Sequence, residues 1–248
     1  FPADGLSTCI ASDQLWTHGS ETPWFSQAPT RLPATGDLLT SFGTSYIHRP
    51  IGLRVSSPDP GGTTIYAVEN VLGAQLSFAY GFHPRVAMSF IAPFVLYQDG
   101  ASKADVVGSD QELPHHAMGD VRIGSHVSLL PQSDSSPSKP ELAIRFEMSL
   151  PTGDIDAFVS SPTVVFAPGL SLRHQLGPLA LGGDLGMRIR REAEIAGSLL
   201  GTEITASVGT SYAALEEDKL TVSLEAFSRI SLLEQTTRVV HPITSEIS

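Results

Sequence analysis

Two adjacent histidines are the residues of this sequence with the most obvious capacity to bind a metal. His115 and His116 follow Asp110 and Glu112 in a polar stretch. Imidazole and carboxylate groups bind zinc, but a stable site needs further ligands at a defined spacing. No other ligand is spaced to complete this set. We therefore interpret His115 and His116 as an exposed pair in a loop, and we predict no metal site and no cofactor.

Other patterns associated with binding or catalysis are weak. The aspartates of residues 98–118 lack the spacing of a calcium-binding EF-hand. Residues 57–64 (SPDPGGTT) lack the Gly-Lys-Ser/Thr ending of a phosphate-binding loop, and no G-x-S-x-G motif is present. His126 and Ser128 share one strand face, but a lipid hydrolase would need them to be reachable by lipid. We predict that the protein is not an enzyme and has no catalytic residues.

Residues 141–154 (ELAIRFEMSLPTGD) show which type of secondary structure this chain forms. Apolar side chains occupy every second position from Leu142 to Leu150, while Arg145 and Glu147 take the other parity. This alternation predicts a β-strand with one apolar and one polar face. Sustained periodicity of 3.6 residues, which would indicate helices, is missing from the sequence. We therefore predict an all-β fold.

The same alternation recurs along the chain. It predicts nine strands, at residues 37–47, 70–80, 85–97, 119–130, 141–150, 163–173, 179–190, 202–212 and 220–229. The apolar parity of the eight strands after the first contains no charged residue. The polar parity contains the residues that we predict to face the lumen of a barrel: Asp120, Arg122, His126, Arg145, Glu147, Arg173, Asp184, Arg188, Arg190, Glu203 and Glu225. We expect these charges to form a structural lattice of ion pairs.

Strand length and loop length favour a membrane barrel over a soluble sheet. The strands run to roughly 10–12 residues, whereas about 9–11 residues suffice for a tilted strand to cross a bilayer and about 5–6 are usual in soluble proteins. Short connections at 81–84, 175–178 and 213–219 alternate with longer ones at 98–118, 152–162 and 191–201, although the connection at 131–140 is longer than this pattern requires. Outer-membrane barrels have short periplasmic turns and long external loops in this order. A soluble β-sandwich remains the alternative, because its core face would also exclude charges.

Composition narrows the class of protein further. The net charge is −11, which argues against a nucleic-acid partner, and only 17% of the residues are charged. No apolar run approaches the 18 or so residues of a transmembrane helix. Cys9 is the single cysteine, so it cannot form an internal disulfide. The chain starts at Phe1, and we interpret it as a mature protein whose signal peptide has been removed.

Three consecutive stretches resemble the N-terminal β-barrel of OmpA-family outer-membrane envelope proteins, especially those of the myxobacterial type. They are GDVRIGSHVSLL, ELAIRFEMSLPTGD and SPTVVFAPGLSLRHQLGPLALGGDLGMRIR. In that family a strand ending in Pro-Thr-Gly leads to an external loop, and the next hairpin has a Gly-Pro turn. The matching residues here are 151–153 and 177–178, and the resemblance covers about residues 36–229. It implies a transmembrane antiparallel up-and-down barrel.

The odd number of predicted strands departs from the family, because bacterial single-chain barrels have even numbers. Either strands are missed within 49–66 or 230–248, or the chain is a piece of a longer protein, which we favour. We expect a barrel of about 8–12 strands over residues 35–248. Residues 1–34 are predicted to form an irregular periplasmic or plug segment.

The leading functional hypothesis is an outer-membrane β-barrel of a Gram-negative bacterium that anchors or supports a cell-envelope or cell-surface assembly. Its partners would be outer-membrane lipid and a surface-exposed protein such as an adhesin or receptor, contacted through external loops at 98–118 and 191–201. The resemblance supports this role, since family members include barrels that work with a cell-surface receptor. The alternatives are a pore or transporter for small solutes and a soluble β-sandwich binding module.

Overall fold

The described residues of the chain, in a computed structural model, are 16–19, 22–55, 63–101, 112–131, 139–195, 198–214 and 220–232. They form twelve β-strands and one 3-10 helix, Ile155–Ala157. The prediction of an all-β fold is therefore confirmed. None of the helical structure in this part of the chain is long and apolar enough to span a membrane.

Antiparallel strands, paired in chain order, make up the main sheet. The strands are β1 (Leu38–Val55), β2 (Thr63–His83), β3 (Val86–Asp99), β4 (Ala117–Met118), β5 (Arg122–Leu130), β6 (Glu141–Ser149), β7 (Val165–Leu176), β8 (Leu179–Arg188), β9 (Ala193–Ile195), β10 (Ser198–Leu200), β11 (Glu203–Ala213) and β12 (Thr221–Ser231). The sheet order is β1-β2-β3-β5-β6-β7-β8-β11-β12, with β4 paired to β3. This is an up-and-down order, and the sheet curls as part of a barrel would.

The nine strands of this order correspond to the nine that the alternation predicts. The largest differences are in β1 and β2, which are 18 and 21 residues long. They continue to pair with each other as far as Val55 and Thr63, so the described part of residues 49–66 extends these two strands. The predicted loop at 191–201 contains the small hairpin β9-β10. Residues 233–248, where a further strand was considered, lie outside the described residues.

The strands β1 and β12 are the two edges of the described sheet. β1 pairs with β2, and β12 pairs with β11. Successive strands of the sheet reverse direction, so the first and the ninth run the same way. Antiparallel closure between these two edges would therefore require an odd number of additional strands.

The two faces of the sheet differ in polarity and exposure. On the outer face, Phe146 and Leu185 are 47% and 57% exposed. On the inner face, Glu141 and Glu147 are 1% and 2% exposed. A β-sandwich has the opposite arrangement, because its aliphatic faces meet each other in the core. The alternative of a soluble sandwich is therefore not the observed architecture.

A small apolar cluster covers one end of the inner face, on the side of the long connections. Phe158 follows the 3-10 helix and packs with Val68, Val95 and Leu113. Gln98, which is fully buried, donates from its Nε2 atom to backbone carbonyls of both long connections, at 2.8 and 3.0 Å. These contacts hold the connections after β3 and β6 against the end of the sheet.

Candidate functional site: the polar inner face

An N-terminal segment lies across the inner face. We call residues 16–19 and 22–33 the inner segment. Trp16 donates from Nε1 to Glu147 on β6, at 2.6 Å. Further along the segment, Ser26 donates to Glu225 on β12, at 2.5 Å from its hydroxyl. The segment therefore bridges strands in the middle and at the edge of the sheet, and the polar side chains of the sheet provide its binding partners.

A group of buried ionisable side chains forms the centre of the inner face. We call His18, His126, Arg145, Glu147 and Asp184 the central cluster. The Nδ1 atom of His18 lies 2.8 Å from Oε1 of Glu147, with both side chains at most 2% exposed. The Nε2 atom of His126 is 3.7 Å from the same oxygen, and Nε of Arg145 is 3.9 Å from the other. Glu147 is thus surrounded by donors and cationic groups from the sheet and the segment.

Asp184 is the second carboxylate of the central cluster. It accepts a hydrogen bond from the guanidinium of Arg145. It also accepts from the hydroxyl of Ser171, at 2.6 Å, and from the backbone N–H of Ala28, at 3.3 Å. All three donors bind the Oδ2 atom, and they offset part of the cost of burying this carboxylate.

Glycines on the inner face make room for the large side chains above them. A Cβ atom at Gly186 would lie 2.6 Å from the Arg145 guanidinium, and one at Gly169 would also collide with it. A Cβ atom at Gly209 would lie 2.6 Å from the indole nitrogen of Trp24. Glycine is unfavourable in the middle of a strand, where it often marks a close approach of another group. Here the approaching groups are Arg145 and the inner segment.

A second group of charges lies towards the end of the inner face that carries the long connections. We call Arg122, Arg188, Arg190 and Arg229 the arginine pocket. The guanidinium carbons of Arg122 and Arg188 lie 5.0 and 4.9 Å from the centroid of the Trp16 ring. Both therefore make cation–π contacts with this ring.

Glu203 is the carboxylate of the arginine pocket. Arg190 donates to it at 2.6 Å, and Arg229 lies 3.7 Å from its other oxygen. A cavity of about 120 Å³ adjoins these side chains, and all four arginines line it.

The remaining predicted residues bind backbone groups or the inner segment. Asp120 accepts from the N–H of Ser161, at 2.7 Å. Arg173 lies 5.8 Å from the Trp24 ring centroid. The structure thus places on the inner face all the residues that the alternation assigned to a lumen: Asp120, Arg122, His126, Arg145, Glu147, Arg173, Asp184, Arg188, Arg190, Glu203 and Glu225.

The geometry around His126 does not match a catalytic triad. Its Nε2 atom lies 3.1 Å from the hydroxyl of Ser89, on the neighbouring strand. The serine that contacts His126 is therefore Ser89 and not Ser128. Glu147 approaches the same nitrogen, whereas in a triad the acid binds the nitrogen that the serine does not use. Ser89, His126 and Glu147 are all at most 6% exposed. This arrangement can orient the buried histidine, and it leaves no access for a lipid substrate.

The two adjacent histidines lie at the end of β3. The Nδ1 atoms of His115 and His116 are 2.9 and 2.5 Å from the carbonyl oxygens of Gln98 and Leu96. The His115 ring also stacks on Tyr97, with centroids 5.6 Å apart. Among the described residues, no group of three or more His, Cys, Asp or Glu side chains is placed to hold a metal ion. Residues 102–111 lie outside the described part.

The sequence interpretation did not anticipate the contacts of the inner segment. His18, Thr30 and Arg31 bind carboxylates of β6, yet none of them belongs to a periodic pattern. The only available signal was the pair of tryptophans, Trp16 and Trp24, in an otherwise irregular stretch. Indole rings in such a stretch indicate a packed segment, but not what it packs against.

No protein-family model and no curated protein matches this chain. The resemblance to OmpA-family barrels therefore stays a prediction.

Proposed function

We propose that this protein is a β-barrel of the outer membrane of a Gram-negative bacterium, where it anchors or supports an assembly of the cell envelope. The observation that carries this proposal is the outer face of the sheet. Large apolar side chains are exposed on this face in strands from β1 to β12, for example at Phe42, Phe90, Leu170, Leu185 and Leu224. The largest apolar patch on a typical soluble monomer covers about 300–600 Å². A face that extends over every strand of the sheet fits acyl chains.

The contents of the inner face favour a structural role over a wide channel. The inner segment and the central cluster occupy the middle of this face and are joined by hydrogen bonds from Trp16 and His18 to Glu147. A small barrel has an interior that side chains can fill. A filled interior suits a protein that acts through its ends, as the anchoring role requires.

The ends of the strands provide the surface for a partner. The pairing of β2 with β3 stops at Asn70 of β2 and Asp99 of β3. β1 and β2 extend beyond this point as a pair. The resulting hairpin lies on the same side as the long connections after β3, β6 and β8. We propose that this side faces outward and contacts a surface protein such as an adhesin or receptor.

Detergent phase separation of the intact protein is the first test. An outer face that contacts lipid predicts partition into the detergent phase, whereas recovery in the aqueous phase would contradict membrane placement.

Substitutions on the outer face test the same membrane placement through their effect on stability in lipid. Leu185→Arg near the middle of β8 is expected to cost about 2–4 kcal/mol of unfolding free energy in lipid vesicles. Phe82→Arg, near the end of β2, is the control and should cost about 0–1 kcal/mol.

The anchoring role is tested by affinity isolation from native membranes after mild crosslinking. We expect a surface protein whose recovery depends on the β1–β2 hairpin. A variant with residues 56–62 replaced by a short Gly-Ser linker is the control. Equal recovery of the surface protein with the unaltered chain and with this variant would contradict this role. Recovery of no specific protein would also contradict it.

A pore for small solutes is the second candidate, and the cavity at the arginine pocket is the observation that favours it. The two functions differ in planar bilayers. Steady conductance of the reconstituted protein would support the pore, and a silent, well-inserted protein would support the anchor.

A further inference from the structure

The apolar outer face ends at a line of polar side chains that crosses three neighbouring strands. Tyr46, Leu72 and Tyr97 lie opposite one another on β1, β2 and β3. Two positions closer to the long connections, the same face carries a second set of opposed residues, which we call the polar row: His48, Asn70 and Asp99. The change from apolar to polar side chains therefore occurs at one point of the register on all three strands.

Hydrogen bonds join the members of the polar row to one another and to the two neighbouring tyrosines. The Oδ1 atom of Asn70 accepts from the hydroxyl of Tyr46 at 2.8 Å and lies 2.9 Å from Nδ1 of His48. The Nδ2 atom of Asn70 donates to Asp99 at 2.8 Å, and the hydroxyl of Tyr97 donates to the same carboxylate at 3.3 Å. Both tyrosine hydroxyls therefore point from the apolar face towards the polar row, as tyrosines at a boundary between hydrocarbon and water do.

The backbone also changes at the polar row. The pairing of β2 with β3 stops at Asp99, and the pairing of β1 with β2 has a register shift directly beyond His48. Arg49 is the next residue of β1, and it lies 3.3 Å from Glu69 in a salt bridge whose side chains are 48% and 42% exposed. Charged side chains are costly in hydrocarbon. The β1–β2 hairpin beyond the polar row is therefore suited to water.

The opposite limit of the apolar face lies at the short turn between β2 and β3. Phe82 is 56% exposed and packs edge-on against Tyr80, with ring centroids 4.7 Å apart. Arg85, in the turn itself, is exposed. From Leu72 to Phe82, β2 advances by ten residues, which is about 33 Å along the strand and about 25 Å in height at a tilt of about 40°. The apolar band of outer-membrane barrels has the same height, about 25 Å.

We infer that the polar row lies at the level of the lipid headgroups of one leaflet. Acyl chains then cover the outer face from the polar row to Phe82, and the β1–β2 hairpin stands in water. The inference rests on the proposed function, because contact of the outer face with lipid is its premise. It adds which part of each strand the lipid covers. It also limits the surface that a partner protein can reach to the hairpin and the long connections.

Spin labels at single cysteines of the full chain, folded in phosphatidylcholine vesicles, test the inference. Cys9 is the single cysteine, so Cys9→Ser gives a background without thiols. Labels are attached after Phe42→Cys on the apolar face, His48→Cys in the polar row and Thr64→Cys in the hairpin, all of them exposed positions. The collision rate with oxygen, which concentrates in hydrocarbon, relative to that with a water-soluble nickel chelate reports the depth of each label. Arg85→Cys is the control for the opposite leaflet.

The label at His48 should lie about 15 Å closer to water than the label at Phe42, because six residues of a tilted strand separate them. The labels at Thr64 and Arg85 should collide freely with the nickel chelate. Heat-modifiable gel mobility verifies that each variant is folded.

Other depths would overturn the inference in distinguishable ways. A label at His48 or Thr64 as deep as the one at Phe42 would overturn it while leaving membrane placement intact. Free collision of the nickel chelate with the label at Phe42 would contradict the proposed function itself, and the inference with it. Few collisions of the Phe42 label with either reagent would show that protein and not lipid covers this face, which would also overturn the inference.

Discussion

The central cluster and the arginine pocket both lie on the inner face, but different kinds of groups bind their charged side chains. In the central cluster, Glu147 and Asp184 receive donors from the sheet and from the inner segment. In the arginine pocket, Arg190 and Arg229 pair with Glu203, while Arg122 and Arg188 lie over the ring of Trp16. The first region adjoins a small cavity of about 30 Å³, whereas the second adjoins a larger one of about 120 Å³.

This difference indicates different roles for similar residue types. A buried carboxylate that has all its donors in place holds the inner segment in one position, and removing it leaves cations without compensation. The arginines of the pocket instead line the larger cavity and contact Trp16 or Glu203. We expect the central cluster to contribute more to stability than isolated contacts of the inner segment, and the effects below run from the largest to the smallest.

Replacing Glu147 should have the largest effect on stability. Glu147→Leu leaves His18, His126 and Arg145 without their shared acceptor, and breaking a buried pair in this way costs about 3–5 kcal/mol. Urea unfolding in lipid vesicles measures the loss. Glu69→Leu is the control, because the Arg49–Glu69 pair is exposed and should contribute about 0–1 kcal/mol. Equal losses for the two variants would show that the central cluster is not a stabilising centre.

Filling the space above a glycine should have the next largest effect. Gly186→Val places side-chain atoms against the Arg145 guanidinium and near Thr205, and overpacking of this kind costs about 1–3 kcal/mol. Gly183→Val, on the outer face of the same strand, meets only a carbonyl oxygen at 3.8 Å and should be tolerated. The same unfolding assay compares them. If Gly183→Val proved the more damaging change, Arg145 would not occupy the described position.

Neutralising Glu225 should loosen the middle of the inner segment. Its carboxylate accepts from the N–H of Phe25 at 3.0 Å and from the N–H and hydroxyl of Ser26. Glu225→Gln keeps the size but removes the charge, which should cost about 1 kcal/mol at this half-buried position. Hydrogen exchange at residues 24–27 should increase, while exchange near Trp16 stays unchanged. A uniform increase along the segment would contradict separate attachment at Trp16 and at Ser26.

Alternation along a strand assigns a side chain to a face but does not identify its partner. Arg145 and Glu147 were assigned to one face because strand side chains alternate, and this rule needs no knowledge of neighbours. The same rule could not show that Arg145 binds Asp184, which is 39 residues away, or that His126 contacts Ser89 and not Ser128. The rule also missed the extension of β1 and β2, where the two strands pair only with each other.

The inner segment shows the same limit more clearly. Trp16 and Glu147 are 131 residues apart, and residues 16–33 have no periodicity that would identify their binding surface.

Local chemistry therefore determined that this chain forms antiparallel strands with one apolar and one polar face, since the alternation of side chains is written into each strand separately. Tertiary structure alone decided which charges meet, because strand pairing and the curl of the sheet bring together groups that are distant in sequence. It also decided that the inner segment lies over the central cluster and that four arginines from separate parts of the chain converge on one cavity.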